Sequence, residues 1–226
     1  MKEKYIEIDN QKFLRQPIKT EILNATDDIV DVVRDYAAEH LEPGDTLVIS
    51  ESPLAITQGR AVPVEQIKLG ILARLLWRFV SKVEYGIGLR APESMQCAID
   101  ECGRLRILLA ALIGGLGRLV GRRGKGDFYR IAGKQAALID AATTSPVPPY
   151  EKCVIKGPKN PARVAQRISD AFRVEVAIMD INDIGGCWMV GGSKQADKQL
   201  LEQVMKDNPQ GQGAELTPFC IVRKIS

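Results

Sequence analysis

The run AIMDINDIGG, residues 177–186, ends an apolar approach in an acid: Val176, Ala177, Ile178 and Met179 lead into Asp180, with Asp183, Gly185 and Gly186 close behind. An apolar strand that releases a carboxylate into a glycine-bearing turn offers a hard oxygen ligand for a divalent metal, at the strand end where alternating α/β structures place function. Asp183 reaches the same point only if the chain turns tightly, which the glycines permit. The same residues also suit an Asx turn in which the aspartates bond their own backbone. A second polar stretch, DNPQGQGAELTP at 207–218, has Asn208 and Pro209 to stop a preceding helix and Gly211 and Gly213 to bend the backbone. Gln210, Gln212 and Glu215 are then available to coordinate or to hydrogen-bond, with a plain surface turn as the alternative.

Two further stretches offer cations. GGLGRLVGRRGKG, 114–126, sets Arg118, Arg122, Arg123 and Lys125 among glycines, an anion-binding composition. It departs from a phosphate loop, because Gly126 stands where serine or threonine follows the lysine; its plainer reading is a basic helix end. PGDTLVISESPLAITQGR, 43–60, runs a buried strand into a polar exit that ends in Gly59 and Arg60. Arg60 can fork onto a phosphate, or pair with a neighbouring acid.

The residue counts narrow the chemistry. His40 is the one histidine and lies near the end of an amphipathic helix, so histidine-rich metal sites are excluded and His40 reads as structural. Five cysteines without a CxxC pair suggest reduced thiols and a cytoplasmic protein. What remains is carboxylates, Lys, Arg and backbone amides, which suit oxygen-liganded magnesium or manganese, and phosphate. A net charge of +3 and 5% aromatic residues argue against nucleic acid as a partner. No membrane partner is expected: the N-terminus has no apolar signal core, and ILLAALIGGLG at 107–117 stops at Arg118, short of a bilayer span.

Strands and helices must position these residues. Short strands are expected at 4–8, 17–23 and 45–50, and helices at 27–41, capped by Thr26, and at 64–80. A helix at 104–119 is apolar around most of its circumference, which predicts burial against other helices or a partner subunit. FYRIA and AALID read as a strand pair about Gly133, and KCVIK as a third strand. Asn160 and Pro161 open a helix striped by Val164, Ile168 and Phe172; VEVAIMD, CWMVGG, a helix at 194–205 and TPFCIVRK complete the chain. The mixture predicts an α/β (α+β) fold with mixed sheets and packed helices.

Taken in order, these stretches resemble the coenzyme F(420)-0:L-glutamate (gamma-glutamyl) ligase family. PGDTLVISESPLAITQGRAV is similar to the family's Gly-Asp-begun strand that runs into Glu-Gly-Arg, matched by Gly44, Asp45, Gly59 and Arg60. Val147, Pro148 and Pro149, then a short strand, a helix and an apolar strand ending in aspartate, follow in the family's order to about residue 225. The resemblance implies a single domain over 1–226 with a helical insertion at about 64–120, two interlocked subdomains and an intertwined homodimer. It also implies GTP (or ATP), Mg2+ or Mn2+, and addition of an amino acid, by analogy L-glutamate in gamma-glutamyl linkage, to a small-molecule carboxylate acceptor through an acyl phosphate. Asp180 takes the metal, with Asp183, Asp140, Gln212 and Glu215 as companions; Gly59, Arg60, Arg122, Arg123 and Lys125 take the nucleotide. The chain departs from the family where LIDAATTSP puts Thr143 in an aspartate's place, with Asp140 three residues upstream. It departs again where INDIGGCW lacks the arginines that follow the family's strand. The alternative is a non-catalytic nucleotide-, ligand- or partner-binding protein on the same scaffold.

Overall fold

The computed structural model describes residues 3–80, 88–119, 127–142, 144, 147–182, 186–211 and 213–225. In chain order its strands are β1 (Tyr5–Ile8), β2 (Gln11–Ile18), β3 (Thr46–Ser50), β4 (Ala61–Pro63), β5 (Cys153–Ile155), β6 (Glu175–Ile181), β7 (Cys187–Gly192) and β8 (Phe219–Ile225). The helices are α1 (Ile29–Tyr36), α2 (Glu51–Thr57), α3 (Ile71–Leu76), α4 (Pro92–Cys102), α5 (Arg104–Leu119), α6 (Asp127–Ala132), α7 (Lys134–Ala137), α8 (Pro161–Phe172) and α9 (Lys198–Val204). They divide into two compact units, one of residues 1–59 with 158–226 and one of residues 60–157. The α/β character expected from the sequence is what the chain adopts.

The first unit is built on a sheet of order β1-β2-β8-β3-β6-β7, in which β3 and β6 run parallel and the other pairs antiparallel. The parallel pair reads as continuous apolar sequence because both its faces are covered. Val48, Ala177, Met179, Cys220 and Val222 face one way and pack with Leu201, Val204 and Met205 of α9 and its end. Their alternates, Leu47, Ile49, Val176 and Ile178, face the other, where α8 buries Ala165 and Ile168. Gly191 is what lets α8 sit so close: a Cβ there would lie 2.5 Å from the Ala162 nitrogen and 2.8 Å from the Pro161 carbonyl carbon. Because the obstacle is backbone, Gly191→Ala is expected to cost about 1–3 kcal/mol, read as a lower urea midpoint with an unchanged slope. A variant as stable as the wild type would show that α8 shifts freely.

The second unit holds the antiparallel pair β4–β5, with α3 to α7 gathered around Leu89, Met95, Ala98, Ile107, Ala110 and Ile139. The expected strand pair at FYRIA and AALID is α6 and α7 instead. Apolar runs of five residues carry no decisive period, and here their neighbours are helices rather than a free strand edge. Gly133, at φ +98°, breaks the two helices apart, and only Asp140 keeps strand-like pairing, in a bridge to Ile155. The helix expected at 64–80 shortens to α3 flanked by 3-10 turns at Val64–Gln66 and Trp77–Phe79, and the strand expected at 17–23 ends at Ile18.

Helix α5 has the expected bounds, and within its own unit it is buried along one side. Ile107 and Ala110 are buried, and Gly114 lies against Phe128 of α6, where an added Cβ would be 3.3 Å from the Phe128 Cβ. The opposite stripe, Leu105, Leu108, Leu109, Leu112 and Leu116, is 42–84% exposed. Among the described residues, this helix, apolar all round, is packed against its own chain on one side.

Candidate functional site

One end of the first unit's sheet collects the polar residues that the sequence singles out there. The parallel register runs from Thr46↔Glu175 to Ser50↔Met179, and the next residues along the two strands are Glu51 and Asp180. On the other side of β3, the Ser50 N–H donates to the Pro218 carbonyl at 2.9 Å, which brings the 207–218 loop to the same end. The carboxyl ends of β3 and β6 and the entrance of β8 thus lie side by side, and each brings its own acid or polar loop.

Asp180 is half-buried on β6, opposite Trp188 of β7, whose indole N–H donates to its Oδ2 at 2.7 Å. Burial pushes its carboxyl above the usual carboxylate range, with the Trp188 hydrogen bond pulling the other way. Among the described residues no basic side chain is paired with it. A carboxylate held out of water without a protein cation suits a bound divalent ion, which supplies the missing charge. Glu51 is 4% exposed at the start of α2, its Oε1 accepting from the Ser52 hydroxyl at 3.1 Å. The sequence reading passed over Glu51, although LVIS ends in Glu51 as VAIM ends in Asp180.

The 207–218 loop is stitched rather than loose. The Gln210 amide donates to the Thr217 carbonyl at 3.1 Å, the Thr217 hydroxyl returns a bond to the Gln210 carbonyl, and the Asn208 amide donates to Gly211 O at 3.0 Å. Glu215 is exposed and lays its carboxylate over Gly211, where a Cβ would meet it at 2.8 Å. Asp183 and Gln212 lie outside the described residues. Among the described residues no group of three His, Cys, Asp or Glu side chains is close enough to hold a metal ion. The donors at this end nevertheless fit magnesium or manganese in kind, being carboxylate and amide oxygens.

An open cleft of about 810 Å³ lies elsewhere in the same unit, lined by α1, α2 and α8 and the residues flanking them, among which are Asp28, Gln58, Lys159, Arg163 and Arg167. It mixes both charge signs, and Arg167 is already bound to Asp28 at 2.8 Å. The cleft has room for a small molecule. The strand ends have the stronger chemical case, because a half-buried acid without a partner cation is the rarer feature.

Of the residues expected to meet the nucleotide, Gly59 ends α2 at φ +67°, its N–H donating to Ile56 O at 2.9 Å, as a glycine after a helix C-cap does. Arg60 opens the second unit, 4% exposed. Its Nε donates to Gly157 O at 2.5 Å, and its Nη2 to Glu101 at 2.8 Å and Gln135 at 3.3 Å. Arg122, Arg123 and Lys125 lie outside the described residues. Asp140 exchanges backbone hydrogen bonds with Ile155 in the second unit.

Glu101, also passed over in the sequence, joins Arg60 to Lys156, whose Nζ is 3.0 Å from its Oε1. Burial raises the Glu101 carboxyl, but the hydrogen bonds from Arg60 and Lys156 outweigh it and hold the group below its ordinary 4.5. A depressed carboxylate contributes stability that is present above its unfolded value and lost as pH falls through the folded one. Glu101→Gln is therefore expected to cost about 3 kcal/mol at pH 7, a deficit that narrows as pH falls below 4.5. Urea titrations of both proteins at neutral and acid pH check it; a deficit constant with pH would remove the charge from the account.

Nucleophilic thiol chemistry is disfavoured. All five cysteines are unpaired, and burial pushes the thiol of Cys97 to about 11 and those of Cys187 and Cys220 to about 12. His40 sits on a 3-10 turn beside Glu39 at 3.3 Å, and its carbonyl accepts from Arg223 at 3.0 Å.

A sequence model of the family described as F420-0:Gamma-glutamyl ligase matches residues 17–196. The match takes in Gly44, Asp45, Gly59, Arg60, Asp140 and Asp180, and it stops before α9, the 207–218 loop and β8, short of the residue 225 to which the resemblance was read. No curated protein matches the chain. The family match covers most of the chain and draws on both units, and on that ground the chain belongs to the F420-0:gamma-glutamyl ligase family, a family of ligases.

Proposed function

We propose that the protein is a nucleotide- and divalent-metal-dependent amide ligase that joins an amino acid, by analogy L-glutamate through its amine, to a small-molecule carboxylate acceptor. The observation that carries this reading is the family match over residues 17–196, with Asp180 at the end of its apolar strand inside it. In such a reaction an acceptor carboxylate oxygen attacks the terminal phosphorus of GTP or ATP, the nucleoside diphosphate leaves, and an acyl phosphate forms. The amine then attacks the acyl carbon, phosphate leaves with its electron pair, and the amine gives up a proton. This chemistry asks for positioning and charge neutralisation rather than a histidine or a thiol, in keeping with a single exposed-edge His40 and raised thiols.

Asp180 would hold magnesium or manganese, helped by Asp183 and by Gln212 or Glu215. The ion, when bound, would neutralise charge on the transferred phosphoryl group. Trp188, through its bond to Oδ2, orients the Asp180 carboxylate. Glu101 does the same for Arg60, which the proposal places at the edge of the polyphosphate site with Gly59 and the basic 122–125 stretch. A homodimer and a cytoplasmic setting accompany this reading.

The test is a thermal-shift panel of nucleotides with and without manganese, followed by nucleoside diphosphate release with glutamate and a set of carboxylic acids. A ligand that binds only the folded state raises the melting temperature by mass action. A shift with GTP or ATP that depends on manganese, together with acceptor-dependent turnover, is expected. The second reading, binding without catalysis, draws on Thr143 in an aspartate's place and on the bonds that already occupy Arg60. It predicts no turnover, with a shift where the ligand is a nucleotide; no shift with any nucleotide would remove the ligase and leave binding of another ligand or partner.

A further inference from the structure

The exposed leucines of α5 form a surface that the ligase reading does not use. Leu105, Leu108, Leu109, Leu112 and Leu116 recur at three- and four-residue steps and so share one face, 42–84% exposed, while Ile107 and Ala110 on the far side are buried. At about 100° per residue, Arg104 and Arg106 fall about 100° to either side of Leu105, at the two margins of the stripe. Both are exposed, and Arg106 is braced by a bond from its Nε to Ile131 O at 2.8 Å. From Gly103 to Leu119 the chain contains no Asp or Glu.

The same unit repeats the pattern. Ile71, Leu75 and Phe79 are 80%, 54% and 67% exposed at successive four-residue steps through α3 and the 3-10 turn after it. Arg74 and Arg78 are exposed beside them, Arg78 over the Trp77 ring, and no acid occurs between Lys68 and Val80. Two of the three acids of α4 are engaged elsewhere, Glu101 with Arg60 and Lys156, and Asp100 with Gln96.

We propose that the α5 face docks in the plane of an anionic lipid surface. Leucines outward with arginines at both margins match the layering of a membrane interface, where the apolar side chains enter the acyl boundary and the guanidinium groups stay at the phosphates. Charge argues against a second copy as occupant: paired in parallel the stripe would bring arginine margins together, and in either orientation α5 offers no acid to answer them. The helix is also too short to cross, about 24 Å against about 30 Å of hydrocarbon, and no described helix is long and apolar enough to span a membrane. The proposal concerns docking at a surface and not a crossing of the membrane.

Flotation of the full chain with vesicles of phosphatidylcholine, with and without phosphatidylglycerol, tests it. Binding is expected to favour the anionic vesicles by about tenfold or more, and to weaken with salt. Leu109→Glu combined with Leu112→Glu should abolish it while keeping the wild-type melting temperature, since both side chains are exposed; the paired serine substitutions serve if the glutamates unfold the chain. Arg104→Gln with Arg106→Gln should erase the preference for anionic lipid. No binding to either vesicle, equal binding that ignores the leucine variants, or leucine variants that split a stable dimer while wild type leaves vesicles bare, would each overturn the proposal; the last would assign the face to a second copy.

Discussion

Asp180→Asn is expected to weaken manganese-dependent nucleotide binding by about a hundredfold or more while leaving the fold in place. The substitution keeps the side chain's size, and its remaining carbonyl oxygen can still accept the Trp188 N–H that now reaches Oδ2 at 2.7 Å. What it removes is the negative charge, held in a half-buried position where water compensates it poorly. A metal bound there gains most of its affinity from that charge, so metal binding should fail well before folding does. In metal-free buffer the variant should melt at or above the wild-type temperature, because a buried charge without a partner cation has been taken away. Calorimetry with manganese and a nonhydrolysable GTP analogue measures the first expectation, and a thermal melt in chelator the second. Wild-type affinity in the variant would return AIMDINDIGG to the class of ordinary turns.

The sequence was most legible where local chemistry and long-range packing agree. Pro161 does open α8, the apolar approach to Asp180 is a strand, and α5 has the bounds read from its periodicity. Caps were placed less well: Asp28 rather than Thr26 caps α1, its Oδ1 accepting the Val30 N–H at 2.7 Å, because the Thr26 N–H and hydroxyl are both bound to Asn24. FYRIA and AALID failed for another reason. Five residues do not establish a period, and whether such a run pairs as a strand depends on an open strand edge contributed from elsewhere in the chain.

The candidate site divides along the same line. Asp180 could be found because its own strand announces it. Glu51 and the 207–218 loop meet at that sheet end only through the order β8-β3-β6, which joins strands more than a hundred residues apart and leaves no local trace. Arg60 could be read as a phosphate fork or as half of an ion pair, and Glu101, 41 residues on, is the partner it finds.

The largest loss of stability is expected from Asp45→Ala, about 3–5 kcal/mol, although Asp45 belongs to a family-like stretch. Asp45 is 1% exposed. Its Oδ1 accepts from Arg223 Nε at 2.8 Å, and its Oδ2 from Arg223 Nη2 at 2.8 Å and from the Glu42 N–H at 2.8 Å. Gly44, at φ +93°, turns the chain so that Glu42 and Asp45 close on each other. The pair thus clamps the start of β3 to β8, the central strand that lies beyond the family match. Truncation to alanine leaves the guanidinium with Glu42 and the His40 carbonyl, so the loss should fall toward the lower end of that range. Asp45→Asn should be no gentler than half of it, because its NH2 group would face donors on one side. Urea denaturation gives the stability, and manganese-dependent nucleotide affinity at a temperature where each variant is folded gives the separation. Near-wild-type affinity with a lowered midpoint is expected for Asp45→Ala, the reverse of Asp180→Asn; a variant that stays stable and loses the nucleotide would move Asp45 from the scaffold into the site.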